Sequence, residues 1–477
     1  MIALLQYPRN IDQVFANSKS SNYVLLAFAI ILLGVWGFLP ADYSLHVPDT
    51  NSYLRFDPYR AAGYPLFLHL AQSLSPGWAP IVFLQLGLFF TALLFLSISL
   101  KGFTSSFVAG FSLLVAVGAN PAFVQYCFSL ITESLFFSSL MLLVGLLLKR
   151  HGSEQIGSIF IIGCLIAWLI LIKPVSWAFI CVPVILILNF ILSKKTVLKR
   201  TFAMLLGAAL VFSAGSLYRF SVHQSWTSGS FLGNQLIGKL AFADFDPEKT
   251  PYPAASKHWL TLMEQSKSLR AQHTEGLNEQ FIFSLNIYDY LRFRKMPEIL
   301  QQADIPQNEQ GRALNEIAFS IIRQAPGDYL NDVAINLFGL WTLAELQPAS
   351  MTQEYNLKIA KIRPELLDEI TPYRPEPQNL WTFAAIKLFL AIAATVNLIV
   401  IFLGLKQLLV RLNPLPSEGL GLFLMAVMIQ SYFLLTASLQ AGLIRYAITA
   451  WPLHLALTIA ATVFLFDHYF NKSRPTN

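Results

Sequence analysis

The residues with the clearest potential for chemistry are a few charged side chains that adjoin long apolar runs. Asp49 and Arg60 lie in a polar segment, rich in proline and tyrosine, that follows the first apolar run. A carboxylate in a wet cavity above a bilayer can stay ionised and accept a proton from a hydroxyl group as a general base. The other interpretation of Asp49 is an ordinary charge on a solvated loop, and spacing alone does not decide between the two.

Glu133 is an acid inside the apolar run at 122–148. An ionisable group at membrane depth is costly and usually faces a cavity or a partner charge. Counting about 20 residues back from Leu148 puts the membrane boundary near Ser129, so we predict that Glu133 lies about one turn inside. A functional acid is the favoured interpretation, and the alternative is a carboxylate capped by Thr132 or another neighbour.

Three basic residues lie at predicted helix ends on the opposite side of the membrane from the Lys and Arg of the other short connections. They are Lys173, Arg219 and Arg445. Any one of them alone is explained by snorkelling to lipid headgroups. Together they suit an anionic phosphate, which Lys and Arg bind through charge-assisted hydrogen bonds. Lys173 stands out because it precedes Pro174 between two adjoining apolar runs, where a polar residue is otherwise hard to justify.

The composition indicates which class of protein must position these residues. Of the 477 residues, 55% are hydrophobic and 13% are charged, whereas an ordinary soluble domain carries roughly 25% charged residues. Soluble enzymes, disordered tails and disulfide scaffolds are therefore excluded, and an all-α polytopic membrane protein is predicted. The three cysteines lie inside apolar runs, so neither a disulfide framework nor a CxxC metal site is implied. No nucleic-acid-binding motif is present.

Apolar runs that approach the ~20 residues needed to cross a bilayer occur about ten times. The predicted spans are 23–39, 78–100, 106–118, 122–148, 156–172, 174–192, 198–218, 381–405, 419–439 and 447–466. The first run is expected to remain as an anchor, because no small-residue cleavage site follows it.

Basic residues in the short connections predict the orientation. In the arrangement above they all fall on one side, which the positive-inside rule makes cytoplasmic together with both termini. The predicted organisation is a seven-span module at 1–218 with an outer loop at 40–77, a large outer loop domain at 219–380, and a three-span C-terminal module at 381–477. Apolar periodicity predicts interfacial helices in 40–77 and helices at 314–322 and 333–343. Residues 242–253 are predicted to form a mobile segment or lid.

Five short motifs occur in a characteristic order along the chain. They are Asp49 with Ser52-Tyr53 and Gly-Tyr-Pro-Leu-Phe at 63–67; Thr132-Glu133; Lys173-Pro174; Ala-Pro-Gly-Asp-Tyr at 325–329; and Arg445-Tyr446 with Pro452. In this order the chain resembles the polyprenyl-phosphate-sugar-dependent glycosyltransferases of the GT-C superfamily, and among them the family 39 and aminoarabinose-transferase-like bacterial enzymes.

The resemblance implies a GT-C-like bundle of about ten transmembrane helices, each of about 20 residues. It also implies an inverting transfer of a sugar from a polyprenyl monophosphate, such as undecaprenyl phosphate, to an acceptor hydroxyl at the outer face of the bacterial inner membrane. The expected partners are that donor, membrane lipid, and a glycan, glycolipid or protein acceptor. The implied roles are general base for Asp49; acceptor orientation for Glu133; donor phosphate binding for Lys173, Arg219 and Arg445; and substrate binding for Tyr53, Arg60, Tyr64 and Tyr446.

One departure from the family pattern concerns metal. Several relatives carry two adjacent acids at the first-loop motif, whereas Thr50 follows Asp49 here. No cofactor is assigned, and a divalent cation held by Asp49 and Glu133 stays open.

Two other functions also stay open. An oligosaccharide ligase would use a polyprenyl diphosphate carrier, and a transporter or lipid flippase would need ionisable residues near the bilayer midplane.

Overall fold

The computed structural model describes residues 18–38, 49–74, 77–149, 155–194, 196–226, 232–273, 276–277, 280–281, 284, 288, 292, 295–306, 309–344, 380–440 and 444–471. Within these ranges the chain forms helices joined by turns and short irregular segments, without an extended β-strand. The predicted all-α class is therefore confirmed.

Most of the helices are built for a bilayer. Among the described residues, seven are long and apolar enough to cross one, at Lys19–Gly37, Ala79–Thr104, Pro174–Leu192, Val197–His223, Ala384–Val410, Gly419–Leu439 and Arg445–Phe464. The pair Phe107–Gly118 and Pro121–Cys127 passes the same test together and bends by 60°. Two further apolar helices, Thr132–Leu148 and Ile156–Ile172, have 17 residues each. The chain is thus a multi-pass membrane protein.

The prediction of one continuous span at 122–148 is wrong. A short helix at Pro121–Val124 and a 3-10 turn at Gln125–Cys127 come first, and the next helix begins only at Thr132. The chain between them is non-helical, and Ile131 is extended with φ −146° and ψ 160°. Glu133 therefore lies in the first turn of the helix Thr132–Leu148, and its depth of about one turn inside the membrane boundary stays a prediction.

The chain divides into two compact units. The first comprises Met1–Ser228, Thr395–Tyr432 and Thr449–Asn477, and the second comprises Gly229–Ala394 and Phe433–Ile448. In the first unit, the helices Ile156–Ile172 and Val197–His223 approach each other through Gly163 and Gly207, where a Cβ atom would collide with the opposing backbone. Two short helices, Thr50–Leu54 and Gly63–Leu74, connect the first two spans.

The second unit is built from helices at Leu232–Lys239, Pro253–His273, Met296–Gln302, Gln310–Gln324 and Pro326–Thr342. The last two confirm the helices predicted at 314–322 and 333–343. The apolar faces of the five helices form one core with Phe281, and this core includes Trp259 and Ile317. Inside this unit Lys239 pairs with Asp332 at 2.7 Å. Burial lowers the pKa of Lys239 even though the charge of Asp332 acts in the opposite direction.

Candidate functional site

The first predicted catalytic residue, Asp49, is held by an arginine from its own loop. Arg60 donates from Nη2 to Asp49 Oδ1 at 2.5 Å, from Nε to Ser52 Oγ at 2.8 Å and from Nη1 to the Tyr53 hydroxyl at 3.1 Å. Its guanidinium carbon also lies 4.2 Å from the centroid of the Tyr53 ring. Arg60 therefore fixes the carboxylate against the short helix Thr50–Leu54, directly after which the chain must turn back.

That turn is a Schellman motif with an unusual residue in it. Phe56 N–H donates to Tyr53 O at 3.1 Å and Asp57 N–H donates to Ser52 O at 2.9 Å, which closes the end of the helix. The residue that enters the left-handed region in such a motif is usually glycine, but here Phe56 has φ 51°. The Phe56 ring stacks on Tyr218 with the ring centroids 5.2 Å apart.

The second predicted acid, Glu133, is paired with a predicted phosphate ligand. Lys173 Nζ lies 3.3 Å from Glu133 Oε1, and Thr132 Oγ1 donates to Glu133 Oε2 at 3.1 Å. Both members of the ion pair are buried, with side-chain exposures of 9% for Lys173 and 2% for Glu133. The backbone of Lys173 is extended, and it lies between the helix that ends at Ile172 and the 3-10 turn that begins at Pro174. The charged side chain is therefore placed at a break between two apolar helices of the first unit.

Tyr53 is linked electrostatically to both of these ion pairs. Burial raises the pKa of Tyr53 to about 12, and the charges of Arg60, Asp49, Glu133 and Lys173 all act on its hydroxyl group. Tyr53 therefore stays protonated at physiological pH. We call the five residues the Tyr53 cluster; they come from three segments of chain, at positions 49–60, 133 and 173.

A neutral network supports the Tyr53 cluster from the side. Tyr64 contacts Tyr53 edge-on with the ring centroids 5.2 Å apart, and its hydroxyl donates to Gln85 Oε1 at 3.1 Å. Gln85 Nε2 in turn donates to the carbonyls of Cys127 at 2.8 Å and Ser129 at 3.2 Å. Gln85 thus satisfies the backbone where the helix before Glu133 is broken. Burial raises the pKa of Tyr64 well above its usual value.

Sequence reasoning overlooked Gln85, although a signal for it existed. An amide side chain inside the apolar helix Ala79–Thr104 needs hydrogen-bond partners, because an unsatisfied polar group in hydrocarbon is costly. Gln85 is 1% exposed and makes three such bonds. The amide in this otherwise apolar helix thus indicated a polar partner, which is the backbone at the break after Cys127.

The remaining predicted phosphate ligands are placed differently. Both Nη atoms of Arg219 donate to backbone carbonyls, one to Arg60 at 2.9 Å and the other to Pro58. Arg445 and Tyr446 belong to the second unit, where Arg445 Nη2 donates to the Tyr446 hydroxyl at 3.2 Å. The roles predicted for these three residues stay predictions.

The Tyr53 cluster has the chemical elements of a group-transfer site. Asp49 supplies a carboxylate that is paired with Arg60 at 2.5 Å, and Lys173 supplies a cation 3.3 Å from a second acid. Within the described part of the chain, no three or more His, Cys, Asp or Glu side chains are arranged to hold a metal ion. If Asp49 and Glu133 held a divalent cation, its other ligands in this part of the chain would have to be groups other than His, Cys, Asp or Glu side chains.

Comparisons with known proteins add little to this geometry. No protein-family model matches the chain, and no curated protein matches it. Among solved structures, it is similar to ArnT from Cupriavidus metallidurans bound to undecaprenyl phosphate, at 13% identity and a TM-score of 0.32, over 88% of this chain and 77% of that one. So distant a similarity decides neither the fold family nor the activity.

Proposed function

We propose that this protein is a membrane glycosyltransferase of the GT-C type, which transfers a sugar from a polyprenyl monophosphate to an acceptor hydroxyl. The observation that carries the proposal is the Tyr53 cluster, in which the charges of a candidate base, a second acid and a buried lysine all act on one buried tyrosine within a helical membrane unit. The first-loop motif that resembles the family supplies Asp49 and Tyr53 to that cluster, and Arg60 comes from the same loop.

In the proposed reaction, Asp49 accepts the proton of the acceptor hydroxyl as its oxygen attacks the anomeric carbon. The bond from that carbon to the phosphate oxygen breaks, and the polyprenyl monophosphate leaves with the bonding electrons. Lys173 stabilises the negative charge that develops on the phosphate, while Glu133 holds Lys173 and orients the acceptor. Displacement from the face opposite the phosphate inverts the configuration at the anomeric carbon.

The proposed setting is the outer leaflet of a bacterial inner membrane, where the lipid tail of the donor stays in the bilayer. No step uses a nucleotide, since the donor already carries an activated sugar. The proposed acceptor is a glycan, a glycolipid or a protein.

Asp49→Asn is the direct test. The variant keeps the shape of the side chain but cannot act as a base, so we expect product formation to fall by at least about 100-fold. Surface glycans of a strain that lacks the protein, complemented with either form, are measured by mass spectrometry. The matched control is Asp57→Asn, because Asp57 belongs to the same loop and its carboxylate accepts a hydrogen bond from the Tyr59 hydroxyl at 3.1 Å. Full product from the Asp49→Asn variant would remove Asp49 from the mechanism.

A binding measurement separates the donor classes. Purified protein is titrated with undecaprenyl monophosphate and, separately, with the diphosphate. We expect tighter binding of the monophosphate and a loss of about 10- to 100-fold in Lys173→Gln, which is the value of one hydrogen bond to a charged group. Preference for the diphosphate would instead favour the ligase. Movement of a lipid without any new glycosidic product would favour the flippase.

A further inference from the structure

The turn that carries Arg60 is fastened to the end of the helix Val197–His223 by an aromatic contact. The Phe56 ring lies parallel to Tyr218, with an interplanar angle of 4°, and meets the His223 ring edge-on at 4.6 Å between centroids. Phe56 is 4% exposed. A left-handed backbone conformation in a bulky residue persists only where its surroundings hold it, and these two rings form part of those surroundings.

A charged contact fastens the same turn two residues further on. Arg219 spans the carbonyls of Pro58 and Arg60 with its two Nη atoms, and its guanidinium carbon lies 5.6 Å from the Phe56 ring centroid. The residue is 4% exposed. Both ends of its planar fork are thus directed at the backbone of the loop, and a fork of this kind matches two adjacent acceptors better than a lysine does.

The contacts form a continuous chain that ends at the proposed base. Arg219 holds the backbone of Arg60, and the Arg60 side chain holds the Asp49 carboxylate together with Ser52 and Tyr53. Residues 219 and 60 are far apart in sequence, so the end of a membrane helix controls the loop that presents the carboxylate. We call Phe56, Tyr218, Arg219 and His223 the latch.

We propose that Arg219 is a positioning residue rather than a ligand of the donor phosphate. Together with Phe56 it holds the turn at 55–60 so that Arg60 orients Asp49 for proton abstraction. The proposal rests on the proposed function for its kinetic consequence. Its structural consequence, an ordered turn, does not depend on which reaction the protein catalyses.

Arg219→Lys separates the two roles, because lysine keeps the charge but cannot span both carbonyls. We expect the maximal rate of product formation to fall about 10- to 100-fold, as displacement of a catalytic group by about 1 Å does. The affinity for undecaprenyl monophosphate should stay within about twofold, because a positioning residue lowers the rate of the chemical step without contacting the phosphate. A phosphate ligand would behave otherwise: Arg219→Ala would weaken monophosphate binding at least about tenfold, and that result would overturn the proposal.

Phe56→Ala disrupts the latch without removing a charged side chain. We expect it to lower the maximal rate like Arg219→Lys, and the double variant to be little worse than either single one, because both changes release the same turn. The matched control is Arg200→Lys, in the same helix, whose guanidinium lies over Phe190 at 4.9 Å. Additive losses in the double variant, or an equal loss in the control, would count against the latch.

Hydrogen exchange tests the latch independently of activity. The amides of Phe56, Asp57 and Arg60 donate to Tyr53, Ser52 and Asp57 at 2.9 to 3.1 Å, so we expect at least about tenfold faster exchange over 52–60 in both latch variants, corresponding to an opening made easier by one lost contact. Unchanged exchange would refute the latch. Retained activity in Asp49→Asn with faster exchange in Arg219→Lys would refute the proposed function and leave the latch standing.

Discussion

Replacing Arg60 with lysine keeps a positive charge beside Asp49 and removes the fork that reaches three acceptors. Lysine has one nitrogen, so of the bonds to Asp49, Ser52 and Tyr53 we expect only the one to Asp49 to survive. Each hydrogen bond that the side chain at position 60 loses to a neutral acceptor, Ser52 or Tyr53, is worth about 1 kcal/mol. Its contact with the Tyr53 ring is worth about 0.5–1 kcal/mol.

The loss adds up to about 2.5–3 kcal/mol in favour of releasing the loop, and every 1.4 kcal/mol is about a factor of ten in an equilibrium constant. Arg60 is largely shielded, with a side-chain exposure of 18%, so solvent screening reduces this value only slightly. We therefore expect Arg60→Lys to lower product formation by about 10- to 100-fold, with expression and membrane insertion unchanged.

The assay compares initial rates of product formation in membranes that contain equal amounts of each variant. Arg55→Lys is the matched control, because Arg55 carries the same side chain in the same loop and is exposed. A rate for Arg60→Lys within about twofold of the unchanged protein would contradict the reasoning. It would mean that the active conformation of the loop does not lose about 2 kcal/mol of stability when Arg60 is replaced. An equal loss in Arg55→Lys would show that the loop tolerates no change at all.

Two further predictions concern the Tyr53 site and its support. Because the pKa of Tyr53 rises from 10.0 to about 12 on folding, the folded state keeps a proton that the unfolded state releases, and the unfolding free energy should fall as pH rises through that window. Tyr53→Phe should make thermal unfolding less sensitive to pH between 10 and about 12, and parallel curves for the two proteins would contradict this. Gly63→Ala places a Cβ atom 2.7 Å from the backbone of a neighbouring helix and should cost about 1–3 kcal/mol in chemical unfolding. Gly87→Ala, where the same atom meets open space, is its control, and equal stabilities would refute the close packing.

The membrane helices could be located from sequence because hydropathy is a local property. A segment of about 20 apolar residues must pass the bilayer as a helix, whatever it packs against. The break before Thr132 escaped this reasoning, since its composition is as apolar as that of a helix. The partner that stabilises the break, Gln85, is distant in sequence, with separations of 42 and 44 residues from the Cys127 and Ser129 carbonyls to which it donates.

The sequence by itself determined that this chain is a multi-pass helical membrane protein and which charged residues are out of place in it. Only the tertiary structure decided their partners: Asp49 with Arg60, Glu133 with Lys173, and Arg219 with the backbone of the turn. The physical reason is range. Apolarity acts residue by residue on transfer into lipid, whereas a buried charge takes whichever partner the packing of distant helices brings within hydrogen-bond distance.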